Sequence, residues 1–161
     1  MLRQQLATIL DNRPKIDNKK IYIWGTGNTA LLYQEGLRRL EQEDSLHIEG
    51  YVDNDAHKWG KYFFDKTIIS PQNLVEQNNV CVLICSPQPH VVGAVRRQLT
   101  ELRVEGYHID EVIFKLHRKE VLQSFDLLKD TFSKKVYAHI IMCRIQGKYP
   151  QEEYISPEQF C

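Results

Sequence analysis

A strand that runs straight into a glycine-rich turn is the feature that most constrains the fold of this chain. Residues 20–24 have strand character, Gly25-Thr26-Gly27-Asn28-Thr29-Ala30 follows, and apolar residues then recur at helical spacing. The first glycine permits a tight turn, the second lets the backbone approach a phosphate, and the small Ala30 lets helix and strand pack closely. The pattern predicts the strand, turn and helix that open a Rossmann-like fold.

Strands and helices alternate along the chain after this turn. Residues 80–85 form a continuous apolar run, which is typical of a parallel strand buried on both faces. Further strands are predicted at residues 47–52, 67–69 and 110–114, and helices at 72–77 and 91–102, with Gly106 as the stop of the second. This order predicts an α/β protein with a Rossmann-like doubly wound parallel sheet of about five strands and extra C-terminal helices.

Four segments are expected in the domain organisation. Residues 1–18 form a peripheral leading helix and a linker, and residues 19–116 form the Rossmann-like nucleotide-binding unit. Residues 117–147 contain the C-terminal helices, the last of which is capped by Asp130 and stops at Gly147. Residues 148–161 are expected to be a connector or tail.

Charge and composition exclude several classes of partner. The 21 basic and 21 acidic side chains cancel, so no global field attracts nucleic acid. No apolar run approaches the roughly 20 residues that span a bilayer, and residues 1–18 lack the apolar core of a signal peptide, which predicts a cytoplasmic location. The cysteines have no Cys-x-x-Cys spacing, so no metal site is expected; they are Cys81, Cys85, Cys143 and Cys161.

The turn and the end of the second strand are the main candidate ligand site. The backbone N–H groups of the turn and the positive end of the following helix favour an anion such as a phosphate; the candidate residues are Gly25, Thr26, Gly27, Asn28 and Thr29. Asp53, followed by Asn54, is placed where an acidic side chain receives ribose hydroxyls, which favours NAD over NADP. The alternative is a solvated turn at residues 53–55.

Side chains near two other predicted strand ends are secondary candidates. Ser86 and Pro87 follow the central strand, where ligands usually bind in open sheets, and His90 begins the next helix. Lys58 and Lys61 follow the Asp53 turn and are candidates for contact with a diphosphate or acidic sugar. The alternatives are a helix-capping serine, an exposed histidine and solvated lysines.

Three stretches together resemble the N-terminal region of FkbM-family methyltransferase-like proteins, which are often encoded with bacterial polysaccharide genes. They are residues 21–29, residues 50–55 through Lys58-Trp59-Gly60-Lys61, and residues 82–86. Residues 133–147, followed by Tyr149 and Tyr154, look like the segment that precedes the catalytic domain in those proteins. The N-terminal domains of sugar O-acyltransferases and nucleotide-sugar dehydratases are also similar.

This resemblance implies a module that binds a nucleotide or nucleotide-sugar, in a longer protein that is an S-adenosylmethionine-dependent methyltransferase. The acidic, glycine-rich S-adenosylmethionine motif of that catalytic part does not occur before Cys161. The chain is therefore expected to be either a piece of a longer protein or a freestanding binding module. Trp24 stands before the glycine turn where methyltransferases usually have an acidic residue, which argues against that cofactor at Gly25 and Gly27.

Three functions remain open from the sequence. The leading hypothesis is a non-catalytic module that binds a nucleotide-sugar or NAD-type nucleotide for a glycan-modifying enzyme. The alternatives are a small NAD-dependent oxidoreductase or epimerase-like enzyme, although no tyrosine has a lysine four positions later, and a structural interaction domain with a vestigial nucleotide site. Because apolar residues cover more than one face of the helix at residues 131–146, a homo-oligomer or a downstream catalytic domain is expected as its partner.

Overall fold

A computed structural model describes residues 1–148 of the chain. Two compact units are present, one formed by Met1–Pro14 together with the described residues from Asp110 onward, and one formed by Lys15–Ile109. The helices are α1 (Leu2–Asp11), α2 (Asn28–Gln42), α3 (Pro89–Leu102), α4 (Ile109–Leu116), α5 (Arg118–Leu127) and α6 (Thr131–Ile145). The strands are β1 (Lys20–Trp24), β2 (Ile48–Val52), β3 (Tyr62–Phe63), β4 (Lys66–Ile69), β5 (Val80–Ile84) and β6 (Glu105–His108).

The Lys15–Ile109 unit is built on one sheet with the order β3-β4-β2-β1-β5-β6. All neighbouring strands are parallel except β3, which is antiparallel to β4. The chain leaves β1 toward β2 and later returns to the other side of β1 as β5, and this reversal defines a doubly wound sheet. The predicted α/β, Rossmann-like fold is confirmed. The sheet has six strands rather than about five, because the two-residue β3 is too short to produce a periodic signal.

The centre of the sheet lies at β1 and β5. Trp24 is paired with Val52 on one side and with Ile84 on the other. Residues 81–84 are fully buried, as the continuous apolar run predicts, since β5 has a strand on each side and side chains covering both faces. One core cluster comprises Tyr22, Trp24, Val52, Leu74, Val82, Ile84, Val92, Val95 and Leu99.

The prediction of a last strand at residues 110–114 was wrong. Residues 110–114 belong to the helix α4, and the strand lies earlier, at residues 105–108, where it pairs with β5. Gly106 is not a helix stop but a strand residue: a Cβ there would lie 2.5 Å from Leu99 Cδ1, so the missing side chain makes room for α3. Helix α3 instead ends at Leu102, and its C-cap residue Arg103 takes the left-handed conformation with φ of 56°.

The other unit consists of helices. Its core comprises Leu6, Leu10, Val121, Leu122, Phe125, Ala138, Ile141 and Ile145. The expectation that the leading helix is peripheral was wrong, because Leu6 and Leu10 of α1 are fully buried in this core. The predicted cap of α6 is confirmed: the Ser133 N–H donates to Asp130 Oδ1 at 2.7 Å. Helix α6 contacts both α1 and α5, so the chain itself covers part of its apolar surface.

Within residues 1–148, none of the helices combines the length and the apolar character needed to cross a membrane. The predicted connector or tail at residues 148–161, apart from its first residue, lies outside the described residues.

Candidate nucleotide site

The glycine turn lies at the carboxyl ends of β2 and β5. Gly25 has φ of +120°, a conformation that residues with a side chain rarely adopt. Its N–H donates to the Val52 carbonyl at 2.9 Å, and a Cβ on Gly25 would lie 2.9 Å from the Cys85 carbonyl oxygen. The turn therefore sits beside the switch point between β1 and β5, where open α/β sheets bind ligands.

The N-terminus of α2 is open above this turn. Gly27 is the N-cap residue, and apart from Gly27 and its two neighbours in the chain, no atom of the described residues lies within 4 Å of the position that its Cβ would occupy. In the part of the chain that the structure describes, no side chain caps this helix. Ala30 is buried, as its place in the motif predicts. The first N–H groups of α2 are thus available to an anion.

Asp53 joins the end of β2 to the glycine turn. The Thr26 hydroxyl donates to Asp53 Oδ2 at 2.5 Å, and the Lys58 ammonium donates to the same oxygen at 3.0 Å and to Thr26 Oγ1 at 3.1 Å. The Asp55 N–H donates to Asp53 Oδ1 at 2.9 Å. The Asp53 side chain is only 14% exposed. These contacts define what we call the Asp53 network: Thr26, Asp53, Asp55 and Lys58.

The Asp53 network keeps the carboxylate ionised. Burial alone raises the pKa of Asp53, but the hydrogen bonds from Thr26, the Asp55 N–H and Lys58, together with the charge of Lys58, outweigh it and lower the pKa below its ordinary value. At neutral pH the site presents a carboxylate beside an ammonium group. A carboxylate at this place can accept hydrogen bonds from two adjacent hydroxyls, as ribose offers them.

We expect Asp53→Asn to reduce the pH dependence of stability. Because the pKa of Asp53 is lower in the folded chain than its ordinary value of 3.8, its contribution is complete above that value and is lost as the pH falls through the folded pKa. Wild type should therefore lose more unfolding free energy than Asp53→Asn between about pH 7 and about pH 3. Urea unfolding at both pH values measures this difference. An equal loss in the two proteins would contradict a stabilising charge at Asp53.

The other predicted site residues differ in their hydrogen bonds and their exposure. Lys58 belongs to the Asp53 network, whereas Lys61 and Asn54 are exposed. The Ser86 hydroxyl accepts the Gln88 N–H at 3.2 Å, so it shapes the turn before α3. Pro87 and His90 are exposed near the start of that helix, while Asn28 and Thr29 form the first turn of α2.

Two residues near the site were missed by sequence reasoning. The Trp59 indole N–H donates to the Asp53 carbonyl oxygen at 2.7 Å. The buried His108, at the end of β6, has its Nε2 2.9 Å from the Ser86 carbonyl oxygen. Trp59 belongs to the Lys58-Trp59-Gly60-Lys61 stretch that carries the FkbM-family resemblance, but the sequence does not indicate it as a site residue. Nothing in the sequence signals the contact of His108, because 22 residues separate it from Ser86.

No group of three or more His, Cys, Asp or Glu side chains that could hold a metal ion occurs in residues 1–148. What the fold and the glycine turn define is a Rossmann-like α/β unit with an open helix N-terminus at its switch point.

The match to a protein family is specific to this unit. Residues 17–110, more than half of the chain, match the model of the family described as C2185-like, N-terminal, and the chain belongs to this family. Curated protein sequences give no significant match.

Three solved structures are similar to this chain, and the first of them supports the fold assignment. The methyltransferase FkbM from Methylobacillus flagellatus KT is similar over 95% of this chain and 48% of its own, with a TM-score of 0.56 and 12% identity. The chain thus spans about half the length of that protein. UDP-D-quinovosamine 4-dehydrogenase from Vibrio fischeri matches over 59% of this chain and 83% of its own, with 24% identity and a TM-score of 0.45. RSP, a Rex-family repressor, matches over 75% of this chain and 68% of its own, with 16% identity and a TM-score of 0.42.

Proposed function

We propose that this chain is a non-catalytic module that binds a nucleotide or nucleotide-sugar for a glycan-modifying enzyme. One observation carries the proposal: the open N-terminus of α2 is linked through Thr26 to an ionised carboxylate, Asp53, at the switch point of the sheet. A helix N-terminus attracts phosphate, and the carboxylate accepts hydroxyl donors. A nucleoside diphosphate carries both groups in neighbouring positions.

The charges of the site suit binding better than chemistry. Lys58 lies 3.0 Å from Asp53 Oδ2, so the positive charge of the ammonium group offsets the negative charge of the carboxylate. When ribose hydroxyls approach, they would replace part of the contact between Thr26 and Asp53. The carboxylate repels a 2′-phosphate, which favours NAD-type or other nucleotides with unphosphorylated ribose.

The link to glycan modification is supported by the FkbM-like stretches at residues 21–29, 50–61 and 82–86. In this proposal the module serves a methyltransferase-like catalytic domain of a longer protein, or a second copy of the chain. The fold likeness to the methyltransferase FkbM is compatible with that role.

We expect a nucleoside diphosphate or nucleotide-sugar to raise the melting temperature of the chain. At a hundredfold excess over its dissociation constant, the ligand stabilises by about 2.7 kcal/mol, or roughly 5 to 10 °C at this size. Gly27→Val should abolish the rise, because its branched side chain would occupy the open space at the N-terminus of α2. Thermal unfolding with UDP-sugars, GDP-sugars and NAD measures both results.

Gly36→Val is the matched control for this test. Gly36 also lies in α2, and apart from its chain neighbours and the nearby helix backbone no atom lies within 4 Å of its Cβ position, but Gly36 is exposed and nine residues beyond Gly27. The ligand should stabilise Gly36→Val as much as wild type. If no nucleotide or nucleotide-sugar moves the melting temperature of wild type, the binding module is refuted and a structural interaction domain remains.

A further inference from the structure

Trp59 is a large aromatic side chain held in an exposed place. It is 41% exposed, while the other tryptophan of the chain, Trp24, is buried in the sheet. An exposed indole leaves apolar surface in contact with water, and a single exposed aromatic side chain is common on protein surfaces. Trp59 differs because its polar edge is anchored: the indole N–H donates to the Asp53 carbonyl oxygen at 2.7 Å.

The backbone around Trp59 is fixed on both sides. Before it, Asp55 caps the short 3₁₀ helix Ala56–Lys58 by accepting the His57 N–H at 3.0 Å. After it, the Gly60 N–H donates to the Ile68 carbonyl of β4 at 2.8 Å. A ring with an anchored edge and a fixed backbone loses little conformational freedom when a ligand covers its face. Less of the binding free energy is therefore lost to ordering the side chain.

Asp53 holds both the glycine turn and the indole. Its carboxylate accepts the hydroxyl of Thr26, and its carbonyl oxygen accepts the indole N–H of Trp59. The order along the site is therefore phosphate turn, ribose acceptor, aromatic ring. This is the order of the parts of a nucleotide, in which the ribose joins the phosphate to the base.

We propose that Trp59 is the base-stacking residue of the nucleotide site. This inference rests on the proposed function and adds to it the position and direction of the ligand. Every nucleobase has a π-face, so stacking on an indole strengthens binding without selecting one base. The residue thus sets the preference for a nucleotide over a phosphate or phosphosugar that lacks a base.

Titration calorimetry with UDP, GDP and ADP tests the inference, with ribose 5-phosphate as the ligand without a base. Trp59→Ala should weaken binding of the nucleoside diphosphates by about 5- to 100-fold and leave ribose 5-phosphate unaffected. Tyr62→Ala is the matched control, since Tyr62 is an aromatic residue 75% exposed in the neighbouring strand β3. The affinity of Tyr62→Ala for all of these ligands should equal that of wild type.

Tryptophan fluorescence gives a second readout that does not depend on a truncated side chain. A stacked base should quench the emission of wild type, and Trp59→Phe, which leaves only the buried Trp24, should abolish the quenching. Quenching of wild-type strength in Trp59→Phe, or an unchanged affinity for nucleoside diphosphates in Trp59→Ala, would overturn the inference and leave the binding module intact. Wild type that binds no nucleotide would overturn both.

Discussion

Gly25→Ala should lower the free energy of unfolding by about 2 to 5 kcal/mol. Two costs add up at this position. The φ of +120° is unfavourable for any residue with a side chain, and the new Cβ would lie 2.9 Å from the backbone oxygen of Cys85, which cannot rotate away. Urea unfolding followed by tryptophan fluorescence measures the loss of unfolding free energy in the unit that contains Gly25, because Trp24 and Trp59 both belong to Lys15–Ile109.

Gly27→Ala is the control for Gly25→Ala. Gly27 has φ of −92°, and its Cβ position is free of neighbours, so the same substitution two residues later should cost no more than about 1 kcal/mol, the usual loss when alanine replaces a better N-cap residue. A Gly25→Ala protein as stable as wild type would show that the turn can relax. The geometry assigned to the glycine turn would then be wrong as well.

Leu10→Ala should cost about 2 to 5 kcal/mol, the range for a leucine removed from a closed core. Leu10 is fully buried in the helical unit, where α1 packs against α5 and α6. Alanine has the higher helix propensity, so the loss would report missing packing and not a weaker helix. Far-UV circular dichroism follows this transition, because tryptophan emission reports only the other unit.

Leu127→Ala is the matched control in the same unit. Leu127 is largely exposed at the end of α5, and its truncation should change stability by no more than about 0.5 kcal/mol. If Leu10→Ala were equally harmless, α1 would be the peripheral helix that its sequence suggests. The contacts of α1 with α5 and α6 would then contribute little.

Helix α6 packs against a helix that lies far from it in the sequence. Apolar residues on several faces of α6 predict burial on two sides, one against the Rossmann-like unit and the other against a second copy or a catalytic domain. In the structure α6 packs on α1 and α5, both in its own unit. Buried Leu6 and Leu10 lie more than 120 residues from Ile141 in the sequence, so no local pattern pairs them. The oligomer stays a prediction with less apolar surface to explain.

The sequence by itself determined the Rossmann-like sheet, because its signals are local. A strand, two glycines and a helix occupy adjacent positions, and a strand buried on both faces needs a continuous apolar run such as residues 80–85. Tertiary structure decided the rest. Residues 105–108 became a strand because β5 offers them hydrogen bonds, and the site acquired its shape from contacts such as Thr26 with Asp53, 27 residues apart. Periodicity over a few residues reports the burial of one element, but not which distant side chain meets it.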